Sequence, residues 1–180
     1  MICQQTNQMV LLIMTLINGF ITPIFKNKIM LLNPILIYLA DDDKDDRMLF
    51  KEALDEIDMD ITIEDYDNGV TLMDNLLNKS KPLPHAIYLD LNMPLMNGEE
   101  CLNDIKNEPE LAQIPIIIYS TYMDNTGVLN LQQKGADLYL EKPNSFELLK
   151  ILLRKSLEYI KSDSRNIVQA SEFVISQKTH

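Results

Sequence analysis

Acidic, hydroxyl and amine side chains follow four short apolar runs in this sequence. Asp41 and Asp42 come directly after the first run, Asp90 after the second, Ser120 after the third and Lys142 after the fourth. The runs are residues 35–40, 86–89, 116–119 and 137–141. If each run is a buried parallel strand, all these groups lie at one edge of a sheet, where ligands of open parallel sheets bind. Together they have the chemistry of a phosphate site.

Asp41 and Asp42 are the first candidates for metal binding. Two acids that directly follow a buried strand repel each other unless a cation compensates their charge. Asp90 adds a third carboxylate at the same predicted edge, and a set of oxygen ligands favours a hard cation such as Mg²⁺. Asp45 and Asp46 have a simpler explanation, since carboxylates are stabilised at the amino terminus of a helix.

A site of this composition suits the transfer of a phosphoryl group. Mg²⁺ would cancel the charge of the incoming group and align it for attack by the Asp90 carboxylate. A fixed ammonium at Lys142 would contact the phosphoryl oxygens from a second side. For two residues, the sequence alone leaves a purely structural role open. Ser120 could simply end its strand, and Tyr139 could be either a core residue or an aromatic whose rotamer reports occupancy of the site.

The elements that must position these groups alternate between strand and helix. Residues 61–66 alternate in polarity like a further strand, and helices are predicted near 44–57, 70–77, 99–106, 124–134 and 145–160. Five strands alternating with five helices predict an α/β fold with a doubly wound, five-stranded parallel sheet. Helical spacing predicts that the apolar face of the first helix is made of Met48, Leu49, Ala53, Leu54 and Ile57.

The charge of the chain limits the kinds of partner it can bind. Its formal net charge is −11, and residues 1–40 contain none of the acids and only two of the bases, Lys26 and Lys28. This balance argues against nonspecific binding of nucleic acid, which depends on neutralisation of phosphates by Lys and Arg. It favours a protein partner with a basic patch. Cys3 and Cys101 suggest neither a disulfide framework nor a metal site, which is compatible with a reducing cytoplasm.

The chain divides into three predicted parts, of which residues 34–161 form the folded domain. Residues 1–33 are an apolar extension whose central stretch, residues 9–25, is short for a membrane helix of about 20 residues. We favour a natural start at Met30, and the alternative is a weak membrane anchor that keeps the domain on the cytoplasmic side. Residues 162–180 are predicted to be a flexible polar tail, too short for a second domain.

Residues 34 to about 161 resemble a response-regulator receiver domain of bacterial two-component signalling. The resemblance rests on residues that occur in the order and at the spacing of that family. They are Asp41-Asp42, Asp90, Met93-Pro94, Gly98, Ser120, Tyr139 and Lys142-Pro143. The implied fold is the flavodoxin-like receiver fold, and the lack of a following effector domain suggests the stand-alone type of receiver.

The resemblance also implies a phosphoacceptor and a metal site. Asp90 would accept phosphate from a histidine kinase or a histidine phosphotransfer protein. Mg²⁺ would be held directly by Asp42, by Asp90 and by the backbone carbonyl of Asn92, and through water by Asp41. An alternative from another class is a Mg²⁺-dependent phosphohydrolase with Asp90 as nucleophile, although Asn92 stands where such enzymes commonly need a second acid.

Three further residues receive roles from the resemblance. Ser120 and Lys142 would bind the phosphoryl oxygens, and Ser120 with Tyr139 would form a switch in which Tyr139 moves inward on activation. The output would then be recognition by a downstream protein, with no nucleic acid involved. A homodimer through the face made by the fourth and fifth helices is a further expectation.

Overall fold

Strands alternate with helices along the chain, as the sequence predicts. The structure is a computed structural model that describes residues 34–121, 124–161 and 173–175. The strands are β1 (Ile35–Ala40), β2 (Ile61–Tyr66), β3 (Ala86–Leu89), β4 (Ile116–Ser120), β5 (Leu138–Glu141) and β6 (Val174–Ile175). The helices are α1 (Lys44–Asp55), α2 (Gly69–Leu76), α3 (Gly98–Asn107), α4 (Asn125–Gln133) and α5 (Phe146–Lys161). All five predicted strands and all five predicted helices are present.

The strands form one parallel sheet in the order β2-β1-β3-β4-β5-β6. The predicted doubly wound α/β fold is confirmed, and the sixth strand is an addition to it. β6 pairs with β5 so that Val174 lies opposite Tyr139 and Ile175 opposite Leu140. Residues 173–175 therefore differ from the flexible tail predicted for 162–180. A strand of two residues is too short to produce a detectable alternation of polarity.

The other predictions for the two ends of the chain concern residues 1–33 and the rest of the tail, which lie outside the described residues. Among the helices that the structure describes, none is both long enough and apolar enough to cross a membrane.

Helices cover both faces of the sheet, and each face has its own apolar core. In β1 the side chains alternate: Ile37 and Leu39 belong to the core under α1 and α5, whereas Tyr38 and Ala40 belong to the core under α2, α3 and α4. β1, β3 and β4 are thus covered on both faces. Strands buried in this way appear in the sequence as continuous apolar runs rather than as alternating ones.

The apolar face of α1 differs from the predicted one. Met48 and Leu49 were expected to be buried, but they are 50% and 41% exposed, and Phe50 is fully buried in their place. The Phe50 ring packs edge-to-face against Tyr88 and Tyr119, with centroid distances of 4.9 and 5.2 Å. Aromatic contacts of this kind favour burial of Phe50 over its two unbranched or γ-branched neighbours. The remaining predicted positions are buried: Ala53, Leu54 and Ile57.

The turn from β3 into α3 requires glycine at position 98. The Gly98 amide donates to the Leu91 carbonyl at 3.1 Å, and a Cβ at this position would lie 2.1 Å from the Asp90 carbonyl oxygen. Asn97 caps α3, since its side chain accepts from the Glu100 amide while the Glu100 carboxylate accepts from the Asn97 amide. The start of α3 is therefore pressed against the backbone of Asp90.

We expect Gly98→Ala to destabilise the fold by about 3 kcal/mol, the upper end of the usual cost of overpacking. The cost is high because the new Cβ would clash with the backbone of Asp90, which cannot move aside as a side chain can. Gly127→Ala is the control, since Gly127 lies within α4 and alanine should stabilise a helix there by about 0.5–1 kcal/mol. Urea unfolding followed by circular dichroism measures both. A Gly98→Ala variant as stable as the parent would contradict so close an approach.

Candidate functional site

The predicted site residues meet at one edge of the sheet. Asp41 follows β1, Asp90 follows β3, Ser120 ends β4 and Lys142 follows β5, and these four strands are consecutive neighbours in the sheet. Backbone hydrogen bonds hold the strand ends together: the Asp90 amide donates to the Ala40 carbonyl at 2.8 Å, and the Lys142 amide donates to the Ser120 carbonyl at 2.9 Å. The parallel sheet itself therefore sets the spacing of the site.

Asp90 is held by donors on both of its carboxylate oxygens. Its Oδ1 accepts from the Ser120 hydroxyl at 2.6 Å and from the Leu91 amide at 2.7 Å. Its Oδ2 faces the Lys142 ammonium at 3.3 Å. Asp90 and Ser120 are only 5% and 1% exposed. The carboxylate is thus fixed in orientation, with a hydroxyl on one side and an ammonium on the other.

Lys142 is shared among three carboxylates. Its Nζ lies 2.8 Å from Asp41 Oδ2, 2.8 Å from Asp46 Oδ2 and 3.3 Å from Asp90 Oδ2. The ammonium also lies 5.2 Å from the centroid of the Tyr119 ring, within the range of a cation–π contact. These contacts hold the ammonium among the carboxylates, and the Lys142 side chain is only 13% exposed.

Asp46 is a site residue whose role the sequence did not indicate. The sequence predicts that Asp46 lies at the amino terminus of a helix, and α1 does begin there: Asp43 is the cap, and its Oδ1 accepts from the amides of Asp45 and Asp46. The Asp46 carboxylate nevertheless reaches Lys142. The run of acids alone contains no signal for this, because the contact depends on how the first turn of α1 faces a strand 96 residues away.

Burial and neighbouring charges act in opposite directions on the pKa of Lys142, and both act on the pKa of Asp41. Burial raises the pKa of Asp41, the nearby Asp90 carboxylate adds to this, and the Lys142 ammonium opposes both. Burial by itself would lower the pKa of Lys142, but the carboxylates of Asp41, Asp46 and Asp90 outweigh it, so the pKa is raised overall. Lys142 is therefore a firmly charged counterion to an excess of carboxylates.

Asp41, Asp42 and Asp90 have the geometry of a divalent cation site. One carboxylate oxygen from each lies within 4.8 Å of the others. Two oxygens on one Mg²⁺ can be at most about 4.2 Å apart, twice the Mg–O distance, so small side-chain rotations bring the three into range. Asp42 is exposed while Asp41 is fully buried. The buried Asp41 Oδ2 lies 2.8 Å from the Lys142 ammonium.

The donor set fits a hard cation on grounds of charge as well. The Lys142 ammonium contacts three carboxylates, those of Asp41, Asp46 and Asp90, and Asp42 adds a fourth carboxylate to the cluster that it forms with Asp41 and Asp90. Such an excess of negative charge is costly in a partly buried pocket unless a cation compensates it. Asn92, predicted to contribute its backbone carbonyl, lies two residues beyond Asp90 in the β3–α3 loop with an exposed side chain. Its role as a ligand stays a prediction.

Tyr139 is buried and connected to the site through the end of β4. It is 2% exposed, and its hydroxyl donates to the Thr121 carbonyl, one residue beyond Ser120. Burial, with added repulsion from the carboxylates of Glu141 and Asp90, raises the pKa of Tyr139 to about 12. The ring already lies inward in this structure, and the predicted inward movement on activation stays a prediction.

Comparison with protein-family models matches residues 37–154 to the response regulator receiver domain. Among curated proteins, the chain is 29% identical over 130 residues to the probable methanogenesis regulatory protein FilR2 of Methanothrix harundinacea, covering 71% of this chain and 84% of that protein. It is 30% identical over 118 residues to the response regulator Rcp1 of Synechocystis, covering 63% of this chain and 80% of Rcp1.

Solved structures show the same likeness. The phosphorylated cyanobacterial phytochrome response regulator RcpA superposes with a TM-score of 0.66 at 26% identity, covering 72% of this chain and 96% of RcpA. The Mn²⁺-bound form of Rcp1 superposes with a TM-score of 0.62 at 28% identity, covering 76% of this chain and 98% of Rcp1.

Proposed function

Because the chain belongs to the response regulator receiver domain family, we propose that Asp90 accepts a phosphoryl group from a histidine kinase or a histidine phosphotransfer protein. The observation that carries this proposal is the environment of Asp90, a buried carboxylate between the Ser120 hydroxyl and the Lys142 ammonium. A carboxylate fixed between two such groups is oriented for attack on phosphorus, and the same groups can receive the oxygens of the incoming phosphate.

The proposed step moves one phosphoryl group between two proteins. An Asp90 carboxylate oxygen attacks phosphorus, the P–N bond to the donor histidine breaks, and the imidazole leaves with the bonding electron pair. The product is an acyl phosphate on Asp90. Lys142 and Ser120 contact the transferred oxygens, and the low exposure of Asp90 and Ser120 limits the access of water to the acyl phosphate.

A divalent cation completes the charge balance of the proposed reaction. Asp41, Asp42 and Asp90 would hold Mg²⁺, with the Asn92 carbonyl as a further ligand, and the ion would neutralise charge on the phosphoryl group. The acidic cluster and the Mn²⁺-bound form of the relative Rcp1 support this assignment.

The proposed output is a change in binding to another protein in the cytoplasm. Phosphorylation adds about −1.5 to −2 charges next to Ser120, which is followed by Thr121, whose carbonyl accepts from the Tyr139 hydroxyl. A charge placed there can bias a two-state arrangement of α4, β5 and α5. The net charge of −11 favours a target with a basic surface.

Acetyl phosphate tests the function without a cognate kinase. Incubation of the chain with acetyl phosphate and Mg²⁺ should give one phosphate adduct per molecule, because the acetate leaves as the Asp90 acyl phosphate forms. Intact mass spectrometry measures the adduct, and chelation of Mg²⁺ with EDTA should suppress it. The alternative phosphohydrolase would instead turn over a phosphate ester many times, and such turnover would overturn the proposal.

The exposed ligand Asp42 allows metal binding to be tested without harm to the fold. We expect Asp42→Asn to weaken Mg²⁺ binding at least tenfold. Loss of a residue that only hydrogen-bonds to a metal ligand typically lowers metal affinity by about 10- to 100-fold, and loss of a ligand should cost no less. Asp45→Asn is the matched control, because Asp45 is also exposed and lies outside the cluster. Calorimetric titration with Mg²⁺ measures both, and equal affinities in the two variants would argue against Asp42 as a ligand.

A further inference from the structure

The short strand β6 pairs with β5, the strand that contains Tyr139 and ends directly before Lys142. β6 pairs in parallel with β5, and Val174 lies directly opposite Tyr139. Phe173, the residue before β6, is 1% exposed and belongs to the same apolar core as Tyr139. β6 also contacts α5. A fully buried aromatic is a strong anchor for a segment of this length, since an aromatic side chain buries a large apolar area.

Tyr139 connects this anchor to the phosphoryl site in two steps. Its hydroxyl donates to the Thr121 carbonyl, and Thr121 follows Ser120, whose hydroxyl donates to Asp90 Oδ1. On the other side, Tyr139 shares its core with Phe173 and is flanked by Val174. Tyr139 therefore lies on a strand that has β4 on one side and β6 on the other, and its ring belongs to the same core as Phe173. Without β6, Tyr139 would lie on the edge strand of the sheet.

We propose that Phe173 is a positioning residue for the phosphoryl site: by seating β6 against β5, it holds Tyr139 on the Thr121 carbonyl and so favours the arrangement of Ser120 that binds a phosphoryl group. The inference rests on the proposed function of Asp90. Coupling between two sites is reciprocal. Seated β6 strengthens binding of a phosphoryl group or its mimic, and the bound mimic strengthens the seating of β6 by the same factor.

Beryllium fluoride with Mg²⁺, which mimics a phosphoryl group on a carboxylate, is the probe. In the full chain, we expect Phe173→Ala to weaken its binding by about fivefold or more, the lower end of typical coupling between sites. Ile175→Ala is the control, because Ile175 packs against the core on the opposite face of the sheet, away from Tyr139, and should have a smaller effect. An equal loss in the two variants would overturn the assignment to Phe173.

Hydrogen exchange separates a positioning role for Phe173 from a purely structural one. Only a positioning role predicts that exchange in β6 slows when the phosphoryl mimic binds. In the parent chain, beryllium fluoride should slow amide exchange in residues 173–175 by the factor found from the Phe173→Ala affinity. In a Tyr139→Phe background, which removes the hydroxyl bond to Thr121, Phe173→Ala should have little additional effect on binding. Unchanged exchange in a chain that binds the probe would refute the coupling.

The outcomes separate this inference from the proposed function. If the parent chain forms no phosphate adduct with acetyl phosphate, the function of Asp90 fails and the inference fails with it. If the adduct forms equally fast in the parent and in Phe173→Ala, the function stands and the positioning role alone is wrong.

Discussion

Replacement of Asp90 by Asn is expected to abolish the phosphate adduct formed with acetyl phosphate and Mg²⁺. The amide of Asn has nearly the shape of the carboxylate, so its oxygen can still accept from the Leu91 amide and the Ser120 hydroxyl, the two donors to Asp90 Oδ1. It lacks the anionic oxygen that attacks phosphorus, and it removes one of the carboxylates that can hold Mg²⁺. The expected loss is complete within the detection limit of intact mass spectrometry.

The fold should survive this substitution although the labelling is lost. The amide keeps the two acceptor contacts of Asp90 Oδ1, and Lys142 keeps its ion pairs with Asp41 and Asp46, so Asp90→Asn should leave the fold intact. Asp74→Asn, an exposed aspartate on α2, is the control for loss of one charge and should label like the parent. An adduct that persists in Asp90→Asn would place the phosphoacceptor elsewhere.

Replacement of Lys142 by Met is expected to slow phosphorylation by about 10²–10³, the effect of removing one donor to a developing anion. The variant also leaves the buried Asp41 and Asp90 carboxylates without their ammonium. Loss of one partner from such a buried group of charges typically costs about 3–5 kcal/mol. In EDTA, the free energy of unfolding should therefore fall by this order.

Added Mg²⁺ should restore part of that stability, because it supplies positive charge to the same oxygens. Lys150→Met is a closely matched control: Lys150 contacts two carboxylates, Glu56 at 2.7 Å and Glu147 at 2.8 Å, and lies 5.2 Å from the Phe146 ring. It lies outside the site, so its removal should change neither labelling nor the response to Mg²⁺. Chemical unfolding with and without Mg²⁺ measures this difference, and an equal Mg²⁺ response in both variants would contradict it.

The meeting of the site residues at one edge of the sheet was predictable from the sequence, because parallel strands bring their carboxyl ends together. Asp41, Asp90, Ser120 and Lys142 each follow a run of apolar residues, and the order of strands in the sheet places these four runs side by side. The separation of the residues in sequence, up to 101 positions between Asp41 and Lys142, did not matter, since each position is fixed relative to the end of its own strand.

The features that the sequence missed depend on side-chain direction or on very short elements. Asp46 contacts Lys142 because of the way the first turn of α1 faces β5, and Phe50 replaces Met48 and Leu49 in the core because it fits between two rings. Neither is encoded in polarity or spacing alone. β6 has two residues, below the length at which alternation distinguishes a strand from a loop.

The sharing of Lys142 among Asp41, Asp46 and Asp90 has a consequence for the proposed role of Mg²⁺. In many small metalloproteins the ion is required for folding, so that chelation denatures the chain. Here the Lys142 ammonium is an internal counterion that already contacts three of the carboxylates and keeps them together. The folded state should therefore survive depletion of divalent cations, and the supply of Mg²⁺ should control the rate of signalling rather than the abundance of the protein.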